Sequence, residues 1–439
     1  MTITPVTPTT VRLRRYRVPP LSAIAELLAV GRGAGDAATR ETVAGMLEAV
    51  RVEGDAAILR FQRDLDGVDL TPAEWEVPRA AWEAARARLD PALRGALERA
   101  AARVRAFHED QREASRSRLD DDGTLVGTRV LSLDAAGVYV PGGTASYPSS
   151  VLMNVIPAVV AGVREIVAVT PPGGVTDAVL AACEIAGVTR LFRIGGAQAC
   201  AALAYGTATV PRVDKLVGPG NRWVAEAKRQ LAGVVGMDMV AGPTEVLIVA
   251  DAAARPAHVA ADLLAHAEHD REASAWLVTP DEELVAAVER ELEARLATAP
   301  RAGIAREALA RNGVAVLVPD LATAITVANR RAPEHLELLV EDADRWLDAV
   351  RHAGAVFVGP FTPEPVGDYV AGPSHVLPTG GSARFASPLG VYDFVKRMSV
   401  VRYSAARLAR DVADVVILAR AEGLDGHAEA VLARHPGPR

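Results

Sequence analysis

EIVAVTPPGGVTDAVLAACEIAGVTRLFRIGG, residues 165–196, sets a β-branched run, an Ala-rich helical stretch and a second β-branched run at 190–194 in succession. That alternation is the signature of parallel βαβ units. The rhythm continues outward, with GVYV at 137–140 before it and DKLVG at 214–218 after it. A second series follows: EVLIVAD at 245–251, SAWLVTP at 274–280, GVAVLVP at 313–319, EHLELLV at 334–340 and GAVFVG at 354–359. Two α/β sheets are expected. Before them, 40–59 and 79–105 carry apolar positions three and four apart and read as a helical layer, while polar 103–118 reads as a solvated helix or its end. The last fifty residues also read as helical. Between 361 and 387, Gly, Pro and Ser break regular structure around Asp368, His375 and Arg384, the kind of loop that carries function.

Half of the 439 residues are hydrophobic and 23% are charged, a globular profile long enough for several domains. Lys and Arg total 48 against 55 Asp and Glu, without long single-sign runs, which argues against a nucleic-acid partner. The longest apolar stretch, 151–163, contains Asn154 and Pro157 and is shorter than the roughly 18 residues of a membrane span. The N-terminus has no apolar core followed by a cleavage site, so a cytoplasmic location is expected. Cys183 and Cys200 sit in Ala-rich helical contexts and read as small buried hydrophobes.

The densest chemical candidate is His266-Ala267-Glu268-His269. Spacing of three puts two imidazoles on one helical face, where they can converge on a metal; a solvated polar face is the plainer alternative. Asp368 and His427 are candidate completions of a four-ligand set. Glu334 and His335 follow Pro333 where a strand begins, and a histidine beside a carboxylate suits proton transfer. Strand neighbours point to opposite faces, so the two can share a substrate only if the backbone bends there. GRGAGD at 31–36 and GPGNRW at 218–223 both fail the dinucleotide fingerprint. YVPGG at 139–143, GGAQA at 195–199 and GPGN at 218–221 nevertheless each follow a predicted strand, and three such turns would line one crevice.

In order along the chain, GVYVPGG, GGAQACAALAYGT, VDKLVGPGN, AGPTEVLIVAD, AEH, APEHLEL, GDY, HVLPTGGSARF and EGL with His427 resemble the histidinol dehydrogenase family over nearly the whole length. The resemblance implies a zinc-dependent, NAD-linked enzyme of histidine biosynthesis that oxidises L-histidinol through the aldehyde to L-histidine. It puts zinc ligands at His266, His269, Asp368 and His427, a water-activating carboxylate at Glu334 and a base at His335. NAD contacts would come from Tyr139, Gln198 and Asn221, and the substrate pocket from Thr244, His375 and Glu422 together with His266, His269, His335, Asp368 and His427. The implied fold has two incomplete Rossmann-like α/β domains with parallel-rich sheets, plus small N- and C-terminal helical segments, in an intertwined homodimer. The expected division is an N-terminal helical segment 1–30, a first α/β domain of 31–137 with 245–388, an NAD-side domain 138–244, and a segment 389–439 that crosses over to bring His427 to the partner.

Two residues depart from the family pattern: His266 stands in place of a glutamine ligand, and Thr244 in place of a serine. Both keep the type of donor or acceptor that binding requires. They leave open a paralogue that oxidises another small alcohol, an amino alcohol or a sulfonated or phosphonated diol. A zinc hydrolase is a further alternative, opposed by the glycine turns of a dinucleotide crevice.

Overall fold

The computed structural model describes residues 11–17, 28, 37–142, 146–239 and 242–435; GRGAGD lies outside them. Strand β1 (Arg14–Arg17) comes first, where a helical segment was expected over 1–30. Its sequence RRYR offers no apolar periodicity, and it forms by lying parallel to a strand some 300 residues on. β2 (Arg116–Leu119) and β3 (Leu125–Ser132) precede a parallel set: β4 (Ala135–Tyr139), β5 (Glu165–Val169), β6 (Arg190–Phe192), β7 (Lys215–Val217) and β8 (Gly236–Met237). A second parallel set is β9 (Glu245–Ala250), β10 (Ser274–Thr279), β11 (Gly313–Leu317), β12 (His335–Leu339) and β13 (Ala355–Val358), and β14 (Val395–Arg402) is last.

The five-stranded sheet has the order β6-β5-β4-β7-β8 and the six-stranded sheet β1-β11-β10-β9-β12-β13. Both are built the same way. Numbering each set from its own first strand gives 3-2-1-4-5, five of the six strands of a doubly wound sheet, with β1 added beside β11. Each sheet is buried on both faces, as parallel sheets are. Ala136, Val138, Ile166, Ala168 and Leu191 pack on helices Arg79–Arg88, Pro91–Glu109, Pro148–Ala161 and Asp177–Ala186. The alternate residues Tyr139, Val167, Val169 and Phe192 pack on helices Ala37–Glu53, Gly196–Tyr205 and Arg222–Leu231.

The N-terminal helices thus cover the five-stranded sheet, which corrects their assignment to a domain shared with 245–388. Their apolar faces, such as Val43, Leu47, Trp82 and Val104, are filled by strands that follow them closely in sequence. Cys183 and Cys200 are free thiols in this core, as expected.

Two compact units divide the chain, the second being Arg112–Ser132 with Val395–Arg439. In it β3 pairs antiparallel with both β14 and β2, and helices Ala405–Ala421 and Asp425–Leu432 follow. Here the helical expectation is corrected twice. The helix over 103–118 stops at Glu109 and gives way to β2, and the segment 389–439 contains β14. These strands are mostly exposed and arginine-bearing, and β14 gains stability from a partner far away in sequence. Among the described residues, no helix is long and apolar enough to cross a membrane.

Candidate active site

Neighbouring strands β9 and β12 start side by side, with His335 opposite Val246. Ala332 takes the left-handed conformation at φ 48°, so the chain turns at Ala332-Pro333 and Glu334 stands just outside the strand. This is the bend that the two neighbours require. Glu334 Oε2 accepts hydrogen bonds from Thr244 Oγ1 at 2.8 Å and from the Glu245 N–H at 2.9 Å, and lies 3.5 Å from His335 Nδ1. Thr244 therefore holds the carboxylate through its hydroxyl. Below it, Glu245 is tied to buried Arg331 at 2.6 Å and accepts from the Gly380 N–H at 2.8 Å.

Helix Pro256–Ala267 leaves the carboxyl end of β9, with Pro256 at its first turn, and returns to the amino edge of the sheet. His266 lies in its last turn, 1% exposed; His269 lies beyond the helix and is exposed, its N–H donating to the His266 carbonyl at 3.1 Å. The single helical face expected for the two is replaced by a cap, yet their rings come together with centroids 6.1 Å apart. His266 Nε2 lies 3.0 Å from His335 Nδ1, which also faces the Glu245 carbonyl at 3.3 Å.

Sequence reasoning missed Glu364. It opens the short helix Glu364–Tyr369 after Pro363, and Asp368 follows one turn later on the same face. Its carboxylate lies 3.8 Å from both His266 Nδ1 and His335 Nε2, and the three side chains bring one donor atom each within 4.8 Å of one another. His375 turns Nδ1 to Asp368, 3.1 Å from the backbone oxygen and 3.8 Å from Oδ1. Two further buried acids, Asp262 one turn before His266 and Glu337 two residues after His335, lie against each other. The signal was available in the spacing: i+4 on the helix and i+2 on the strand put them on the faces of the two histidines.

Burial and the Asp368 charge push the Glu364 carboxyl up to about 9. Burial disfavours charge on His335 too, but Glu334, Glu364 and Asp368 outweigh it and hold its imidazolium up to about 10. His266, buried and beside two other imidazoles, is held well below the ordinary histidine range and stays neutral. His375 is lowered by burial, and Glu337 is raised well above the carboxylate range by burial and by Asp262.

At the carboxyl edge of the five-stranded sheet, β4 and β7 flank the point where strand order reverses, the usual place for a ligand crevice. Gly218, at φ +108°, passes so near that a Cβ would sit 2.2 Å from the Tyr139 carbonyl oxygen. Its N–H donates to Asp238 at 2.8 Å and its carbonyl accepts from Lys228 at 2.9 Å, these two side chains forming a buried ion pair. A cavity of about 440 Å³ lies beside His269. Tyr147, Pro148 and Ser149 line it from the five-stranded side, and Glu268, His269 and Tyr369 from the other.

The family model for histidinol dehydrogenase matches residues 32–435. The chain belongs to the histidinol dehydrogenase family. It is 52% identical over 398 residues to histidinol dehydrogenase of Pseudomonas aeruginosa, covering 90% of each chain. Identity to the Pseudomonas syringae pv. syringae protein is 49% over 435 residues, 98% of this chain and 97% of the relative. The crystal structure of histidinol dehydrogenase from Elizabethkingia anophelis superposes with a TM-score of 0.90 at 33% identity, covering 96% of this chain and 98% of that one.

The remaining residues of the histidinol dehydrogenase motifs fall in two places. Tyr139 is buried at the end of β4 and accepts from the Gly196 N–H through its hydroxyl at 3.1 Å; Gln198 is buried in the next helix, its Oε1 without a hydrogen-bond partner among the described residues. Asn221 caps helix Arg222–Leu231 by accepting from the N–H groups of Trp223 and Val224. Glu422 and His427 belong to the second unit, at the end of helix Ala405–Ala421 and within Asp425–Leu432, and both are exposed.

Proposed function

We propose that the chain oxidises L-histidinol through L-histidinal to L-histidine in the cytoplasm, passing two hydrides to two NAD molecules with zinc in the site. The observation that carries this reading is the Glu334-His335 pair, 3.5 Å apart at the start of β12, in a chain of this family. The donor set fits zinc: neutral imidazole and carboxylate suit a borderline-soft divalent cation. The charge balance fits as well. Three carboxylates, Glu334, Glu364 and Asp368, act on His335 at the site, an acidic setting that suits a bound cation. His269, Asp368 and His427 are the ligands in this reading, and His266 stands where the resemblance puts the fourth. A metal held there would supply Lewis-acid chemistry to the substrate.

His335 takes the alcohol proton at Nε2, the ring atom not turned to Glu334. Glu334, fixed by Thr244 and the Glu245 N–H, takes a proton from water for the aldehyde step. His375 and Glu422 complete the substrate pocket, and a carboxylate such as Glu422 suits an amine-bearing substrate. The crevice between β4 and β7 takes NAD, with Tyr139, Gln198 and Asn221 as contacts, so 138–244 is the cofactor side and 245–388 the chemical side. Residues 389–439 cross to a second copy in a homodimer, bringing His427 to the partner. Support for an interface comes from apolar surface in the second unit, where Val401, Ile417 and Leu418 are each more than 60% exposed.

The test is NADH counted per L-histidinol consumed by the zinc-loaded protein. Two are expected. No NADH despite NAD binding would overturn the assignment in favour of another alcohol, and one would restrict the enzyme to the first oxidation.

A further inference from the structure

We infer that His266 serves as the hydrogen-bond acceptor that orients His335, and not as a metal ligand. The inference rests on the proposed role of His335 as the base, and its argument is a count of protons and lone pairs.

His335 Nδ1 is surrounded by three groups: His266 Nε2 at 3.0 Å, the Glu245 carbonyl at 3.3 Å and Glu334 Oε2 at 3.5 Å. The carbonyl and the carboxylate only accept, since Glu334 Oε2 already receives two hydrogen bonds. Nδ1 of His335 therefore carries a proton, and the 3.0 Å contact makes His266 Nε2 the acceptor. A neutral imidazole accepts at one nitrogen only when the other bears its hydrogen. The surroundings of His266 agree: Nδ1 faces a carboxylate oxygen, Glu364 Oε2, at 3.8 Å.

His266 then has no lone pair left for a cation. Nε2 is occupied by His335, and Nδ1 carries the proton. The same count excludes the ligand set His266, His335 and Glu364 through the two outward nitrogens. That arrangement would put an N–H on each inner nitrogen, two donors facing each other at 3.0 Å. What His266 supplies is the His335 tautomer, with the proton on Nδ1 and the Nε2 lone pair free to receive a proton. His266 is a positioning residue in this sense, and three ligands with an open position remain for the metal.

The experiment compares wild type, His266→Gln and His266→Leu as zinc-loaded full-length proteins, reading zinc per chain after dialysis against a chelator, and kcat and KM separately. The leucine variant is expected to keep its zinc and to lose about 10- to 100-fold in kcat with little change in KM, as loss of an orienting partner does. Glutamine, whose amide oxygen accepts in the same place, is expected to recover most of that loss. Zinc lost from the leucine variant would make His266 a ligand and overturn the inference, as would undiminished kcat. If wild type makes no NADH from histidinol, the proposed function fails on its own, and the zinc content of the leucine variant still decides the role of His266.

Discussion

The two parallel sheets share one strand order and carry their candidate sites at opposite edges. In the five-stranded sheet the strand reversal between β4 and β7 is lined by glycine, and Gly218 brings two backbones closer than any side chain allows. In the six-stranded sheet the equivalent position, between β9 and β12, is clasped by Asp251, whose carboxylate accepts from the Glu341 N–H at 3.0 Å. Its candidate catalytic residues sit at the other end, where Thr244, Glu334 and His335 begin their strands and helix Pro256–Ala267 delivers His266. Topology alone thus does not fix where a sheet is used. The turns at strand ends decide it, glycine at one sheet and buried acids and imidazoles at the other.

If the edges divide cofactor from chemistry, substitutions on each should separate two readouts. The largest effect is expected from His335→Asn, which should lower kcat by about 10²- to 10⁴-fold while NAD affinity measured by calorimetry stays at the wild-type value. An equal loss of NAD binding would break the division. Gly218→Ala should do the reverse and also destabilise the fold. A side chain at φ +108° costs about 1–3 kcal/mol before the clash with Tyr139 is added, so a lowered melting temperature with weakened NAD binding is expected.

A further effect concerns pH. Burial pushes the Cys183 and Cys200 thiols up to about 12, against about 8.5 in an unfolded chain. A raised pKa means that the folded state keeps a proton the unfolded state gives up. Stability from this source is full below about pH 8.5 and declines toward pH 12, by up to about 1.4 kcal/mol per pH unit for each thiol. Denaturant unfolding at pH 8 and pH 10 should reveal the decline, and Cys183→Ala with Cys200→Ala should flatten it.

Sequence legibility followed the same physics. The strands of both parallel sheets, β1 and the two-residue β8 apart, were readable because strands buried on both faces are written as unbroken β-branched runs, as in EIVAV and EVLIVA. RRYR, RSRL and VKRMSVVR were not, because a half-exposed strand among arginines has no apolar signature of its own. Glu334 and His335 could be singled out, whereas their convergence needed the left-handed turn at Ala332, which no alanine announces. Glu364 escaped notice because a glutamate between two prolines reads as surface, and only the fold buries it against two imidazoles.

Asp251, clasping the carboxyl rim of the six-stranded sheet, also marks the rim that lies away from His266 and His335. The short connections at 251–255, 319–320 and 341–342 leave that rim mostly exposed, at the opposite end of the strands from the histidines. Loops released from chemistry tolerate change. For anyone grafting an affinity tag, a fluorophore or a tether to a solid support, this is the rim to build on.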